Sequence, residues 1–228
     1  MPLKDQLDAL RAEDYARALP DVTLARQRAV DDLMASGLGE RAVRAGSLAP
    51  AFRLRDGNGV VVSSHKWLFA GPMVLVFYRG RWCPYCNLDL RAIEAAADDI
   101  RSLGASILAV SQQTSYESRE TVRLNALTFP SLVDRGGKLA YAFGLRWKAS
   151  AELRAVEKAC GVDLALLNGE PSWTLTMPAR YIVAPDGMVE YTDISVDYTR
   201  RCDPADLLPV LRRLRMRWAT DPVPALRA

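Results

Sequence analysis

The chain has 228 residues, of which half are hydrophobic and a quarter are charged, so it is long enough to bury one sizeable core. Its net charge of +3 and the lack of segments that interleave basic with aromatic residues argue against nucleic-acid binding. No run reaches membrane-spanning length and the N-terminus lacks the apolar core of a signal peptide, so we expect no membrane contact and a cytoplasmic location. In that compartment its four cysteines stay reduced and are catalytic or incidental.

Residues 1–43 are predicted to form a helical arm of two helices, interrupted at Pro20. Asp21 is the predicted N-cap of the second helix. We favour packing of this arm on its own domain, and the alternative is a dimerisation arm that builds a homodimer. The apolar positions predicted to face inward are Leu3, Leu7 and Leu10 in the first helix and Leu24, Val30, Leu33 and Met34 in the second.

Residues 44–218 are predicted to form one α/β domain, followed by a tail at 219–228. Strands are expected at 52–54, 60–62, 74–77, 106–110, 129–133, 179–183 and 188–192, and helices at 84–103, 115–126, 138–143, 150–160 and 204–218. The alternation of strands and helices, with an antiparallel hairpin near the end, predicts a mixed central sheet with helices on its faces. The segment 161–177 is long for a loop in a compact domain, which indicates that it is functional or covers something.

The most informative motif is Trp82-Cys83-Pro84-Tyr85-Cys86, which follows the apolar strand 74–77 at the start of a predicted helix. The free N–H groups and the dipole of a helix N-terminus stabilise a thiolate. A lowered cysteine pKa makes the sulfur a nucleophile at neutral pH, so the pair is predicted to cycle through a Cys83–Cys86 disulfide. Further positive charge is expected from Arg79, Arg81 and Arg91.

A zinc site is the alternative for this motif, and it lacks ligands. Zinc needs two more cysteines or histidines at a comparable spacing, whereas Cys160 and Cys202 stand alone and the only histidine is His65. We therefore expect no metal and no cofactor. Cys160 and Cys202 are interpreted as incidental thiols rather than resolving cysteines, and His65 is placed in a polar turn without a cysteine partner.

Three segments together resemble the peroxiredoxin-like (AhpC/TSA) branch of the thioredoxin-fold superfamily over about residues 44–215. They are Gly46-x-x-Ala49-Pro50-x-Phe52-x-Leu54, Val74–Tyr78 with the Trp-Cys-x-x-Cys motif, and Tyr181-Ile182-Val183-Ala184-Pro185-Asp186-Gly187. The resemblance implies a thioredoxin-like fold with an N-terminal helical extension and an antioxidant activity. It also implies that Pro178 of Thr176-Met177-Pro178 is a cis-proline, which would turn the Met177 backbone toward the sulfurs.

The active-site register departs from that of typical peroxiredoxins, which carry Pro-x-x-x-Thr-x-x-Cys here. Arg79 occupies the proline position and Cys83 the threonine position, which leaves Cys86 in register with the peroxidatic cysteine. The resemblance also places an activating arginine near Pro178, where Arg180 is close but out of register. The motif is thus similar to that of thioredoxin within a peroxiredoxin-like scaffold.

Three functions follow from these features. We favour a thiol peroxidase in which Cys86 attacks a hydroperoxide and Cys83 condenses with the sulfenic acid, with positive charge from Arg79, Arg81 or Arg180. The first alternative is a protein disulfide reductase in which an exposed Cys83 attacks, Cys86 resolves and Trp82 forms an apolar wall. The second is a non-enzymatic redox sensor or binding module. For either enzyme the reductant is thioredoxin or glutathione, and Pro84, Tyr85 and Met177 complete the site.

Overall fold

The computed structural model describes residues 1–220. Its helices are α1 (Leu3–Arg17), α2 (Pro20–Ala35), α3 (Leu38–Arg41), α4 (Ser64–Ala70), α5 (Pro84–Ala95), α6 (Ala97–Ser102), α7 (Ser115–Leu124), α8 (Lys138–Ala142), α9 (Ala151–Ala159), α10 (Leu164–Leu167) and α11 (Leu207–Thr220). Its strands are β1 (Arg53–Asp56), β2 (Val61–Ser63), β3 (Met73–Phe77), β4 (Ser106–Ser111), β5 (Ser131–Val133), β6 (Arg146–Lys148), β7 (Thr174–Thr176), β8 (Ala179–Val183) and β9 (Val189–Ile194).

A mixed sheet organises the described residues, in the strand order β2-β1-β5-β4-β3-β8-β9. Strand β3 runs parallel to β4 and antiparallel to β8, and β8 forms the predicted hairpin with β9. Strands β6 and β7 pair separately. The mixed α/β sheet flanked by helices confirms the predicted fold class, including the helices at the N-terminus.

Alternate residues of β3 belong to two hydrophobic clusters on opposite faces of the sheet, as the two-residue period of a strand requires. Val74 and Val76 pack in the first cluster with the two cysteines of the motif and with apolar residues of α1, α5, α6 and α11. Met73, Leu75 and Phe77 pack in the second cluster, with residues of α2, α4 and α8. The dithiol therefore lies on the α5 face of the sheet, directly beyond the end of a strand that is buried on both sides.

The N-terminal arm packs on the rest of the same chain. Leu3 and Leu7 are buried in the first cluster, and α1 contacts α5. Helix α2 contacts α9, where the Arg26 guanidinium donates two hydrogen bonds of 3.1 and 3.0 Å to the Glu157 carboxylate. In addition, the Tyr85 hydroxyl donates to Asp14 Oδ2 at 2.7 Å, which ties α1 to the first turn of the helix that begins at the dithiol.

Several predicted details of the arm and of the first α/β elements are wrong. Helix α2 begins at Pro20 with Leu19 as its N-cap, because proline suits the first helical position, where no N–H donor is needed. Leu24 and Met34 face solvent, and Ala25 is buried instead. The helix expected at 84–103 is divided at Ala96 into α5 and α6. His65 lies in the short helix α4 rather than in a turn.

Two predicted segments near the C-terminus also differ. The expected loop 161–177 contains α10 and β7, and Trp173 is buried in a third cluster that Trp82 contacts. Helix α11 continues to Thr220, and the rest of the predicted tail, 221–228, lies outside the described residues. Over residues 1–220, the helices lack the length and apolar character needed to cross a membrane. The division of the chain at residues 43 and 218 stays a prediction.

Replacing Leu7 by alanine tests whether the arm shares the main hydrophobic core. Leu7 is 3% exposed, so Leu7→Ala is expected to lower the free energy of unfolding by about 2–5 kcal/mol through lost burial and a cavity. Leu19→Ala is the matched control, because Leu19 is 71% exposed and its loss should cost less than about 0.5 kcal/mol. Urea denaturation measures both, and equal stabilities for the two variants would contradict the docking of α1.

Candidate active site

A tight turn carries the chain from β3 to α5 and places the dithiol at the start of the helix. The Cys83 N–H donates to the Gly80 carbonyl at 3.1 Å, Cys83 is the N-cap of α5 and Pro84 is its first residue. Gly80 has a φ of +147°, and a Cβ there would lie 2.6 Å from Nε1 of Trp82. The indole of Trp82 occupies the space that a side chain at position 80 would need, so only glycine fits this turn.

Both cysteines are reduced and buried: Cys83 is 1% exposed and Cys86 is completely enclosed. The expectation of an exposed Cys83 is therefore wrong. The aromatic residues Trp82, Tyr85 and Tyr198 pack in or against the cluster that contains both sulfurs. A small molecule needs less rearrangement than a protein to reach such a dithiol.

The pKa values of the two thiols are shifted in opposite directions. Burial is the largest influence on Cys83 and raises its pKa, but the opposing interactions outweigh it. The Cys86 side chain donates a hydrogen bond to Cys83, and the charges of Arg79 and Arg201 add to it, so the pKa of Cys83 falls to about 6. Burial and the neighbouring Cys83 thiolate raise the pKa of Cys86 well above that of an ordinary thiol. Cys83 is therefore the more acidic thiol of the pair.

Arg201 lies at the dithiol, although the sequence did not mark it as a candidate site residue. Its side chain is 1% exposed, and one guanidinium nitrogen lies 3.6 Å from Cys86 Sγ. The Arg79 backbone N–H points at the same sulfur from 3.5 Å. No sequence motif marks Arg201, which follows β9 in an irregular segment and reaches the dithiol only through the fold.

Asp89 holds Arg201 in this position. Its Oδ2 accepts from Nε of Arg201 at 3.2 Å, and its Oδ1 accepts from the Arg180 guanidinium, while all three side chains are buried. Arg180 also donates to the Cys202 carbonyl at 2.8 Å. Arg180 was expected to stabilise the thiolate directly. It binds Asp89 instead, and Asp89 holds Arg201 near Cys86. The sequence feature that could have identified Asp89 is its position one helical turn after Cys86, on the buried face of the predicted helix.

Arg79 lies beside the dithiol between two aromatic rings. Its Cζ is 4.4 Å from the centre of the Trp82 ring and 4.1 Å from that of Tyr198. Tyr198 in turn packs edge-on against Tyr85 at 5.6 Å. This stack covers the dithiol on the side of the N-terminal arm and fixes a positive charge there.

The other predicted arginines are engaged elsewhere. Arg81 donates to Glu117 of α7 at 2.5 Å and its backbone N–H to Gln113, which anchors the turn before the motif. Arg91 donates to Asn125 at 2.9 Å. The structure thus brings Arg79 to the thiolate, as expected, and supplies Arg201 in place of Arg81 and Arg91.

The predicted cis-proline is wrong, because every peptide bond in residues 1–220 is trans, including the one that precedes Pro178. The chain runs extended from β7 into β8. The Met177 N–H donates to the Leu145 carbonyl, and the Pro178 carbonyl accepts from Ser195, both at 2.8 Å. The N–H of Met177 is therefore already used inside the protein, and the side chain packs in the cluster on the opposite face of the sheet.

The thiols of the two remaining cysteines take no part in the described site. Cys160 and Cys202 are exposed and form no disulfide. Cys160 lies at the end of α9, and Cys202 lies shortly before α11. Across residues 1–220, acidic, cysteine and histidine side chains form no cluster that could hold a metal ion.

The pKa assignment predicts a pH dependence that can be measured without a substrate. In a Cys160→Ser/Cys202→Ser background, thiolate absorbance of the reduced protein should rise with a midpoint near pH 6. Cys86→Ser keeps a side-chain donor and should leave the midpoint close to that value, whereas Cys86→Ala removes the donor and should raise it. A midpoint near 8.5 in the parent protein would contradict the assignment.

A sequence model described as the AhpC/TSA family matches residues 45–192. Two curated relatives, the putative peroxiredoxin Q of Oryza sativa subsp. indica and peroxiredoxin Q of Oryza sativa subsp. japonica, are each 32% identical over 152 residues. Each match covers 65% of this chain and 58% of the relative, so it spans less than two thirds of the relative's length. Both relatives are described as chloroplastic, and the cytoplasmic location of this chain stays a prediction.

Solved structures show the same fold at low sequence identity. Peroxidoxin BcpB of Mycobacterium tuberculosis has a TM-score of 0.59 at 19% identity, covering 75% of this chain and 98% of its own. AhpC of Enterococcus faecalis has a TM-score of 0.58 at 19% identity, covering 80% and 99%. Because the family match covers more than half of the sequence, the chain belongs to the AhpC/TSA family.

Proposed function

We propose that this protein is a thiol-dependent peroxidase in which Cys83 attacks a hydroperoxide and Cys86 resolves the product. The observation that carries the proposal is the position of Cys83 at the N-cap of α5, where the charges of Arg79 and Arg201 lower the pKa of its thiol. A thiolate is the nucleophile, and a fixed positive charge stabilises the oxygen that leaves. Membership of the AhpC/TSA family and the likeness to peroxiredoxin Q support the same chemistry.

The proposed reaction ends with a disulfide between the two cysteines. The Cys83 thiolate attacks one peroxide oxygen, the O–O bond breaks, and the other oxygen leaves as hydroxide or alkoxide and takes up a proton. Cys83 is then a sulfenic acid, which the Cys86 thiol attacks; the S–S bond forms and water leaves. An external dithiol of the thioredoxin type, or glutathione, supplies two electrons and two protons to restore the thiols. A homodimer and a protein disulfide as a second substrate stay predictions.

The location of the thiolate revises the roles that the sequence register suggested. Register places Cys86 at the peroxidatic position, but Cys86 donates the hydrogen bond that holds the charge on Cys83. Cys86 therefore keeps its proton until the sulfenic acid has formed. That proton is the one that leaves with the water when the disulfide closes.

A general disulfide reductase is supported less well by this geometry. Such an enzyme presents an exposed sulfur and a free backbone edge to an extended substrate, whereas Cys83 is buried and the Met177 N–H is bonded to Leu145. A hydroperoxide needs neither feature. Peroxide reduction is therefore the function that this site supports best.

Stopped-flow kinetics of the reduced protein test the assignment. Wild type should consume hydrogen peroxide at least about 100-fold faster than a free thiol, because positive charge stabilises the leaving oxygen. Cys83→Ser should fall to the rate of a free thiol. Cys86→Ser should consume one equivalent and stop with sulfenic acid on Cys83, detected by trapping and mass analysis. Cys160→Ser/Cys202→Ser is the matched control and should turn over like wild type.

Other outcomes contradict separate parts of the proposal. Sulfenic acid trapped on Cys86 in an active Cys83→Ser protein would reverse the roles of the two cysteines. Peroxide consumption no faster than that of a free thiol, together with reduction of insulin through Cys83, would establish a disulfide reductase instead.

A further inference from the structure

The inner face of α1 runs from the hydrophobic core toward the dithiol. Leu3, Leu7 and Leu10 follow one another at helical spacing, and all three pack in or against the cluster that contains both cysteines of the motif. Asp14 lies one turn further along the same face, and its Oδ2 accepts the hydrogen bond of 2.7 Å from the Tyr85 hydroxyl. The apolar face of the helix therefore ends in a carboxylate that binds a residue of the motif itself.

Tyr198 links Tyr85 with Arg79. The two tyrosine rings pack edge-on with their centres 5.6 Å apart, and the Arg79 Cζ lies 4.1 Å from the centre of the Tyr198 ring. The Tyr198 carbonyl also accepts a hydrogen bond of 2.9 Å from Arg201. Tyr198 thus contacts both of the arginines whose charges act on Cys83.

The position of the Arg79 guanidinium depends on its ring contacts. The residue is 6% exposed, its Nε has no hydrogen-bond partner, and within residues 1–220 no carboxylate pairs with it. The guanidinium instead lies over the rings of Trp82 and Tyr198. A cation–π contact constrains direction less than a bidentate ion pair does. A displacement of the Tyr198 ring would therefore also displace the charge.

We propose that the N-terminal arm completes the site, with Asp14 as a positioning residue. Asp14 holds Tyr85 against Tyr198, and Tyr198 holds the guanidinium of Arg79 beside the dithiol. The proposal gives a role in the chemistry to a segment that precedes the family match, which begins at residue 45. It rests on the proposed peroxidase function and deepens it, because it names a residue of the arm that controls the reactivity of Cys83.

Two possible roles of Asp14 predict opposite changes at Cys83. A nearby negative charge opposes ionisation of a thiol, so removal of the carboxylate would lower the pKa of Cys83 if Asp14 acted directly. A positioning residue keeps Arg79 in place, so its removal would raise that pKa. A contact that only attaches the arm would change the stability of the protein and leave the pKa unchanged. The direction of the pKa change therefore distinguishes the three cases.

The thiolate absorbance of the full-length, reduced protein measures this change in the background that keeps only the cysteines of the dithiol. Asp14→Ala should raise the midpoint by about one pH unit, the effect expected when one charge moves away from a nearby thiol. Tyr85→Phe removes the same hydrogen bond from its other end and should give the same rise. Asp14→Asn keeps an acceptor oxygen and should restore the midpoint. Glu13→Ala is the matched control, because this neighbouring acid of α1 pairs with Arg17 on the surface.

A double-mutant cycle with Arg79→Gln tests the path from the arm to the thiol. In the Arg79→Gln background the charge that Asp14 is proposed to position is absent, so Asp14→Ala should cause no further rise of the midpoint. An equal rise with and without Arg79 would show that Asp14 acts by another route and would overturn the proposal.

Consumption of hydrogen peroxide at pH 6 connects the thiol pKa with the reaction. Asp14→Ala should be at least about fivefold slower than its parent, since a rise of one pH unit from a midpoint near 6 lowers the thiolate fraction by that factor. Unchanged midpoints in Asp14→Ala and Tyr85→Phe proteins that still unfold cooperatively in urea, or a lowered midpoint in Asp14→Ala, would overturn the role of Asp14. The expected midpoints in a protein that does not accelerate peroxide consumption would keep that role and overturn the proposed function.

Discussion

The buried carboxylate of Asp89 is the interaction on which the arrangement of the site depends. It binds Arg180 of β8 and Arg201 of the segment after β9, and thus joins the central sheet, helix α5 and that segment in one contact. Loss of one member of a buried ionic cluster leaves an uncompensated charge and costs several kcal/mol, so the three side chains stabilise one another's positions. Because Asp89 lies one turn after Cys86, the cluster also sets the distance between Arg201 and the dithiol.

The charges around the dithiol explain why the pKa of Cys83 is lowered although its thiol is buried. Arg180 and Arg201 carry two positive charges against the one negative charge of Asp89, and Arg79 adds a third positive charge without a carboxylate of its own. Burial by itself would keep both thiols protonated, and it does so at Cys86. At Cys83 the excess of positive charge and the hydrogen bond from Cys86 reverse that effect. A thiolate at Cys83 would supply the counter-charge that these arginines lack, and in the proposed reaction that charge is lost when the disulfide forms.

The sequence predicted the parts of this arrangement that depend on local pattern. The apolar run 73–77 and the motif that follows it were enough to place a strand, a helix start and a dithiol at their junction. Arg201, Tyr198 and Asp89 were missed as a group because their contacts join segments about a hundred residues apart. The cis-proline was wrong for a related reason: the pairing of β6 with β7, which keeps the chain extended through Met177 and Pro178, involves strands of three residues without a periodic signal.

The burial of the dithiol has different consequences for the oxidation step and for the reduction step of the proposed reaction. In the proposed reaction a hydroperoxide must reach a dithiol that is buried with the arm in place, and a small molecule needs less room for this than a protein. A protein reductant must instead touch a sulfur that is enclosed by Trp82, Tyr198 and α1. Oxidation prepares for that step, because closing the disulfide removes the negative charge and leaves the surrounding arginines unbalanced. The same charge excess that creates the nucleophile thus destabilises the closed site once the nucleophile has been used.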